Sequence, residues 1–131
     1  LRPGGRLVCE FGGYGNCQRI HKALEEAFWE KGLSYRNPFY FPTVGAYAGR
    51  LEAHGFLVRF ARIFNRKTKL EGENGMENWI SMFIKAPFAS LPAQTKKELI
   101  RDAVGRLRPE CYQENSWYAD YVRIRLKAEK I

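Results

Sequence analysis

Leu1-Arg2-Pro3-Gly4-Gly5-Arg6-Leu7-Val8-Cys9-Glu10-Phe11-Gly12-Gly13 decides how this chain is read. A Pro-Gly-Gly turn feeds a short, almost continuously apolar run from Arg6 to Phe11, bounded by glycines on both sides. That pattern predicts a strand covered on both faces in an α/β protein. After the second glycine group, Asn16 is placed to cap a helix running to Lys31. Cys17, Ile20, Leu24, Ala27 and Phe28 recur there at three- and four-residue steps, and Gly32 supplies a left-handed stop.

Outward from that unit, Asn37-Pro38-Phe39-Tyr40-Phe41-Pro42 cannot be helical, because each proline holds the residue before it extended. Thr43 caps a second helix to about His54, with Val44, Tyr47, Ala48 and Leu51 on one face and Gly55 at its end. Phe56 to Asn65 alternates as a strand and makes Gly55-Phe56 a tight helix-to-strand joint. A polar loop, Glu71 to Gly75, then leads into a helix from Met76 to Lys85, ended by Pro87. Pro92 begins another, in which Leu99, Ile100, Ala103, Val104 and Leu107 recur before Arg108-Pro109 stops it. Residues 66–116 therefore read as a helical insertion within one domain, 1–131. Trp117 to Lys127 alternates as the last strand.

Composition limits the function. The chain has 131 residues, 45% apolar and 15% aromatic, enough for one core and too aromatic for disorder. Twenty-two basic residues against 14 acidic ones leave a formal charge of +8, so an acidic ligand or a nucleic acid has to be weighed. The densest basic stretches are Arg62 to Lys69 and Arg123 to Lys130, in or beside strand-like runs. Cys9, Cys17 and Cys111 are odd in number with no paired C-x-x-C spacing, which suggests neither a disulfide framework nor zinc and fits a reduced, cytoplasmic setting. His21 and His54 alone could add imidazole ligands, and no metal site is expected. No apolar run approaches the roughly 20 residues of a membrane span. A start on a turn, with no methionine or signal-like segment, suggests an excised domain or a partial gene product.

With these residues in view, the chain resembles the C-terminal half of class I S-adenosylmethionine-dependent methyltransferases. The similarity rests on Leu1-Arg2-Pro3-Gly4-Gly5-Arg6 and Glu10-Phe11-Gly12-Gly13, on Phe41-Pro42-Thr43 leading to Leu51-Glu52-Ala53-His54-Gly55-Phe56, and on Asn78-Trp79 and Asp120-Tyr121-Val122-Arg123. Together these look like the branch related to trans-aconitate methyltransferase and other small-molecule methyltransferases. The resemblance implies a partial Rossmann-like fold: a three-stranded mixed sheet in the family order 5-7-6, with flanking helices and a helical insertion before the last strand. Arg6 to Phe11 would be the fifth strand, Phe56 to Asn65 the sixth and Tyr118 to Lys127 the seventh.

It also implies S-adenosylmethionine as the cofactor of the complete protein, with none expected to bind this chain alone. The family holds the cofactor on a glycine-rich loop after its first strand and an acidic residue ending its second. Gly12-Gly13-Tyr14-Gly15 follows a strand but lacks the alternating glycines of that loop, and Glu30 lies on a helix, so neither is assigned to the cofactor. Methyl transfer from a sulfonium needs chiefly alignment in a dry pocket, so a missing catalytic triad is no objection and no catalytic residue is named.

Substrate contacts are expected at Glu10, near the carboxyl end of its strand, at Tyr40 in the proline-flanked loop, at Asn78, Trp79 and Phe83 on the insertion helix, and at Tyr121 and Arg123 in the last strand. Glu10 would orient or deprotonate a substrate group, or else pair with an arginine. The aromatics of the insertion helix, with Met82, would wall the substrate, or else pack as core. Arg123 would hold a carboxylate by two hydrogen bonds, or else lie solvated. Two partners follow: the missing N-terminal half, or a second copy, meeting the unpaired fifth strand, and a small-molecule methyl acceptor. A noncatalytic binding or assembly module and a basic nucleic-acid binder stay open beside the half-enzyme.

Overall fold

The computed structural model describes residues 1–131. In chain order the elements are β1 (Arg6–Gly12), α1 (Gln18–Glu30), α2 (Val44–Ala53), β2 (Phe56–Lys69), α3 (Gly75–Phe83), a 3-10 turn at Ala86–Phe88, α4 (Ala93–Cys111), β3 (Tyr112–Gln113) and β4 (Ser116–Lys130). The three long strands lie in the order β1-β4-β2. β1 runs antiparallel to β4, from Arg6 opposite Glu129 to Gly12 opposite Arg123. Four strands are present where three were expected, because β3 also pairs antiparallel with β4. Its hairpin turns on Glu114 and Asn115, with φ of 50° and 62°. Two consecutive left-handed residues match the right-handed twist of the flanking strands, a signal overlooked in the polar run before Trp117.

The chain divides into two compact units. The first holds Leu1–Asn16, Tyr40–Arg66 and Tyr121–Ile131, and the second Cys17–Phe39 and Lys67–Asp120. Helix α1 thus groups with the residues expected to form an insertion.

In the first unit the opening turn is fixed to β4. Gly5 N–H donates to the Arg2 carbonyl at 2.8 Å, and Gly4 carries φ +84°, so Pro3-Gly4 is a type II corner. Gly4 N–H donates to Lys130 O and Lys130 N–H to Gly5 O, each at 2.8 Å. Ile124, Leu126 and Ala128 of β4 form a buried cluster against Val44, Tyr47 and Leu51 of α2, Cys9 and Phe11 of β1, and Phe56, Val58 and Ala61 of β2. Thr43 caps α2 as expected, its hydroxyl accepting from Ala46 N–H at 3.1 Å. β1 is not covered on both faces in this chain: Val8 is 68% exposed. It ends the strand order, with β4 as its neighbour.

In the second unit Ile20, Leu24, Ala27 and Phe28 of α1, Met76 and Ile80 of α3, and Leu99, Ile100, Ala103, Leu107 and Cys111 of α4 are buried, with Trp117. Helical spacing selected the residues of α1 and Leu99, Ile100, Ala103 and Leu107 of α4, because one helix face is removed from water. Trp117 also donates its indole N–H to Glu73 O at 3.0 Å. Two helix ends differ from expectation. Cys17, at φ 53°, precedes α1 and gives no side-chain cap, while Asn16 is engaged elsewhere. Helix α4 continues past Pro109 to Cys111. The ring removes one N–H only in the final turn, and Cys111 beyond it is buried.

Candidate functional site

The turn after β1 was the one place in the chain resembling a cofactor cradle. Gly13 N–H donates to Val122 O and Tyr14 N–H to Pro42 O, both at 2.9 Å, while Asn16 N–H donates to Gly13 O at 2.9 Å and Cys17 N–H to Asp120 O at 3.0 Å. The Asn16 side chain is equally committed, Oδ1 accepting from Val122 N–H at 2.7 Å. Nor do the glycines leave room for a ligand. A Cβ on Gly12 would lie 2.8 Å from Phe41 Cε1 and 2.9 Å from Asn16 Nδ2, and one on Gly13 would lie 2.7 Å from Ile124 Cγ1. These glycines let aromatic and aliphatic side chains approach the backbone, so the turn does not fit S-adenosylmethionine.

Glu10, just before that turn, sits among arginines of the first unit. Its Oε1 accepts from Arg125 Nη2 at 2.8 Å and Nε at 3.1 Å, and its Oε2 accepts from Arg66 Nη1 at 3.1 Å. Arg123 Nε stands 3.5 Å from the same Oε2. The strand register explains the convergence, with Glu10 opposite Arg125 and Gly12 opposite Arg123. The hydrogen bonds from Arg125, helped by the charges of Arg66, Arg125 and Arg123, hold the Glu10 carboxyl below the usual carboxylate range, against partial burial that would raise it. Glu10 is therefore a paired, ionised carboxylate.

Beside it the Phe64 ring is flanked by the guanidiniums of Arg62 and Arg66, each 5.0 Å from the ring centroid, and of Arg125 at 5.3 Å. Sequence reasoning singled out Glu10 and Arg123 and missed Arg62, Phe64, Arg66 and Arg125. The signal was there: in a strand, positions 62, 64 and 66 share one face.

Of the other expected residues, Tyr40 is exposed, with the Arg50 guanidinium 5.5 Å from its ring. Tyr121 is half-buried on β4, two residues before Arg123. These join Glu10 in the first unit, while Asn78, Trp79 and Phe83 belong to the second. On α3 the rings of Trp79 and Phe83 pack 5.3 Å apart, Asn78 is exposed, and Met82 and Phe83 are 61% and 51% exposed. The helix buries Met76 and Ile80 instead.

The second unit also holds a buried polar pair. His21 Nδ1 and the Tyr35 hydroxyl lie 2.7 Å apart, with Phe28 packed on Tyr35 at 5.1 Å. Burial lowers the His21 pKa to about 4 and raises that of Tyr35.

No helix is long and apolar enough to cross a membrane. No protein-family model matches the chain. Over 99% of its length it is 27% identical to an uncharacterized methyltransferase of Schizosaccharomyces pombe, of which it covers 51%. It thus spans about half the length of the curated relative that it matches. Among solved structures, a candidate methyltransferase from Bacillus halodurans superposes with a TM-score of 0.49 at 14% identity, over 99% of this chain and 53% of that one.

Proposed function

We propose that this chain, related along nearly its whole length to half of a methyltransferase, is the substrate-side half of an S-adenosylmethionine-dependent enzyme that methylates a small molecule. The alignment over 99% of the chain carries this reading. The committed amides of the turn after β1 favour a cofactor site outside these residues, so the chain by itself is inactive. The acceptor would be met by Glu10, Tyr40, Tyr121 and Arg123 of the first unit. The remaining half, or a second copy, would add a strand beside β1, whose edge offers backbone donors and acceptors. A noncatalytic assembly module would share that edge and differ in binding no cofactor even when complete.

Calorimetric titration with S-adenosylmethionine and S-adenosylhomocysteine tests the proposal on the 131 residues and on the longer gene product that contains them. Saturable binding by the longer protein and no heat from the shorter one is the expected result. Micromolar binding by the 131 residues alone would place a cofactor cradle inside them. Failure of both would leave the assembly module.

A further inference from the structure

The basic excess of this chain is not spread evenly. The first unit carries ten Lys and Arg against three Glu, a net +7 of the chain's +8, whereas the second carries twelve basic against eleven acidic residues. Within the first unit the charge converges. Arg66 of β2 and Arg123 and Arg125 of β4 gather around Glu10 of β1, and Arg62 lies with Arg66 and Arg125 around the Phe64 ring, so three guanidiniums face one carboxylate with a fourth beside that ring. Of the other two glutamates, Glu129 pairs with Arg59 at 3.3 Å and Glu52 approaches Val58 N–H at 3.4 Å. The cluster is open to water: Arg66 and Arg125 side chains are 47% and 49% exposed, and Val8, on the Glu10 face of β1, is exposed.

We propose that this cluster is a binding site for a compact, multivalent oxyanion, a small molecule bearing clustered phosphate or carboxylate groups. Guanidiniums present paired N–H donors in a plane that matches such groups. Glu10 shows the fit from inside the protein, its Oε1 taking two N–H donors of Arg125 and its Oε2 taking Arg66. One carboxylate neutralises one of four charges, and the remaining mutual repulsion is relieved by each further negative charge that enters. Arg66, Arg123 and Arg125 converge on the two oxygens of one carboxylate, which favours a compact ligand over a polymer. Glu10 competes with that ligand for the same donors. The site does not rest on the methyl-transfer reading, and loss of that reading would leave it unchanged.

Calorimetric titration of the full chain at fixed ionic strength, with inorganic pyrophosphate, citrate and a single-stranded oligonucleotide as probes, tests the site. Saturable one-site binding of pyrophosphate or citrate is expected, and whichever binds more tightly distinguishes a phosphate from a carboxylate ligand. Glu10→Gln should tighten binding about tenfold by removing the competitor, and Arg62→Gln should weaken it about tenfold. Arg62 takes no part in the Glu10 ion pairs, so its variant remains informative if loss of Glu10 disturbs folding. No binding of either small anion, unchanged affinity in Glu10→Gln, or binding of the oligonucleotide alone would each overturn the proposal.

Discussion

The Asp120 carboxylate closes the amino end of a helix that begins 102 residues earlier. Its Oδ2 accepts from Arg19 N–H at 3.1 Å, and its backbone carbonyl accepts from Cys17 N–H at 3.0 Å, so β4 supplies the cap that Cys17 cannot. Burial raises the Asp120 pKa, while the Arg19 N–H opposes that shift. Oδ1 is buried and accepts no hydrogen bond.

Asp120→Ala should destabilise the protein by about 1 kcal/mol, the usual cost of a lost cap. Asp120→Asn retains an acceptor and should cost less. A pKa raised by folding gives stability that is present below the unfolded value and lost as pH rises through the folded one. Urea unfolding across the carboxylate range should show that loss in the wild type and not in Asp120→Asn.

His21 titrates with the opposite sign. Its folded pKa of about 4 lies below the ordinary value of 6.5, so the stability is fully present above about pH 6.5 and is lost as pH falls through 4. The full shift amounts to roughly 3 kcal/mol. His21→Gln, which can still hydrogen-bond to Tyr35, should flatten the pH dependence of unfolding between those limits. An unchanged slope would contradict it.

Gly13→Ala should destabilise by about 1–3 kcal/mol, because its Cβ would meet Ile124 Cγ1 at 2.7 Å and Ile63 Cδ1 at 3.1 Å. Asn16→Ala should cost about as much, since it leaves Val122 N–H without its side-chain acceptor. Thermal denaturation of both variants checks these values. A cradle that merely tolerates glycine would accept Gly13→Ala without loss.

Arg106 joins two helices of the second unit. It reaches Glu30 at 2.6 Å, Glu26 at 3.0 Å and Asp102 at 2.9 Å, and its side chain is 28% exposed. Arg106→Gln should lower stability at low salt and lower it less at high salt, because such pairs are screened. Unfolding at two ionic strengths measures the difference.

The edge of β1 should make association depend on concentration. Sedimentation of the 131 residues should show self-association that Val8→Lys reduces, since a charge on an edge strand opposes pairing. A monomer at every concentration would remove the basis for a partner strand there.

Much of the local structure was legible in the residues. Thr43, Gly32 and Gly55 act at the helix boundaries where their types predict, Gly32 at φ +70° and Gly55 at φ +85°. The buried faces of α1 and α4 follow their apolar spacing, because a helix packed on one side must repeat every three or four residues. The cap of α1 was not legible, since the group that satisfies Arg19 N–H lies on a different element. The continuation of α4 past Pro109 was hidden by a rule that holds in helix interiors and relaxes in a final turn.

By itself the sequence determined the three long strands, the helices, most of their ends, and the likeness to half of a methyltransferase, all of which rest on neighbours along the chain. Only the tertiary structure decided that Gly12 and Gly13 serve packing, that Glu10 is ionised among arginines, and that nearly all the excess charge lies in one unit. Those outcomes depend on strand order and register, which bring Arg66, Arg123 and Arg125 to a carboxylate 56 to 115 residues away. Alternation along one strand shows which face a residue takes, and pairing between strands determines what it meets there.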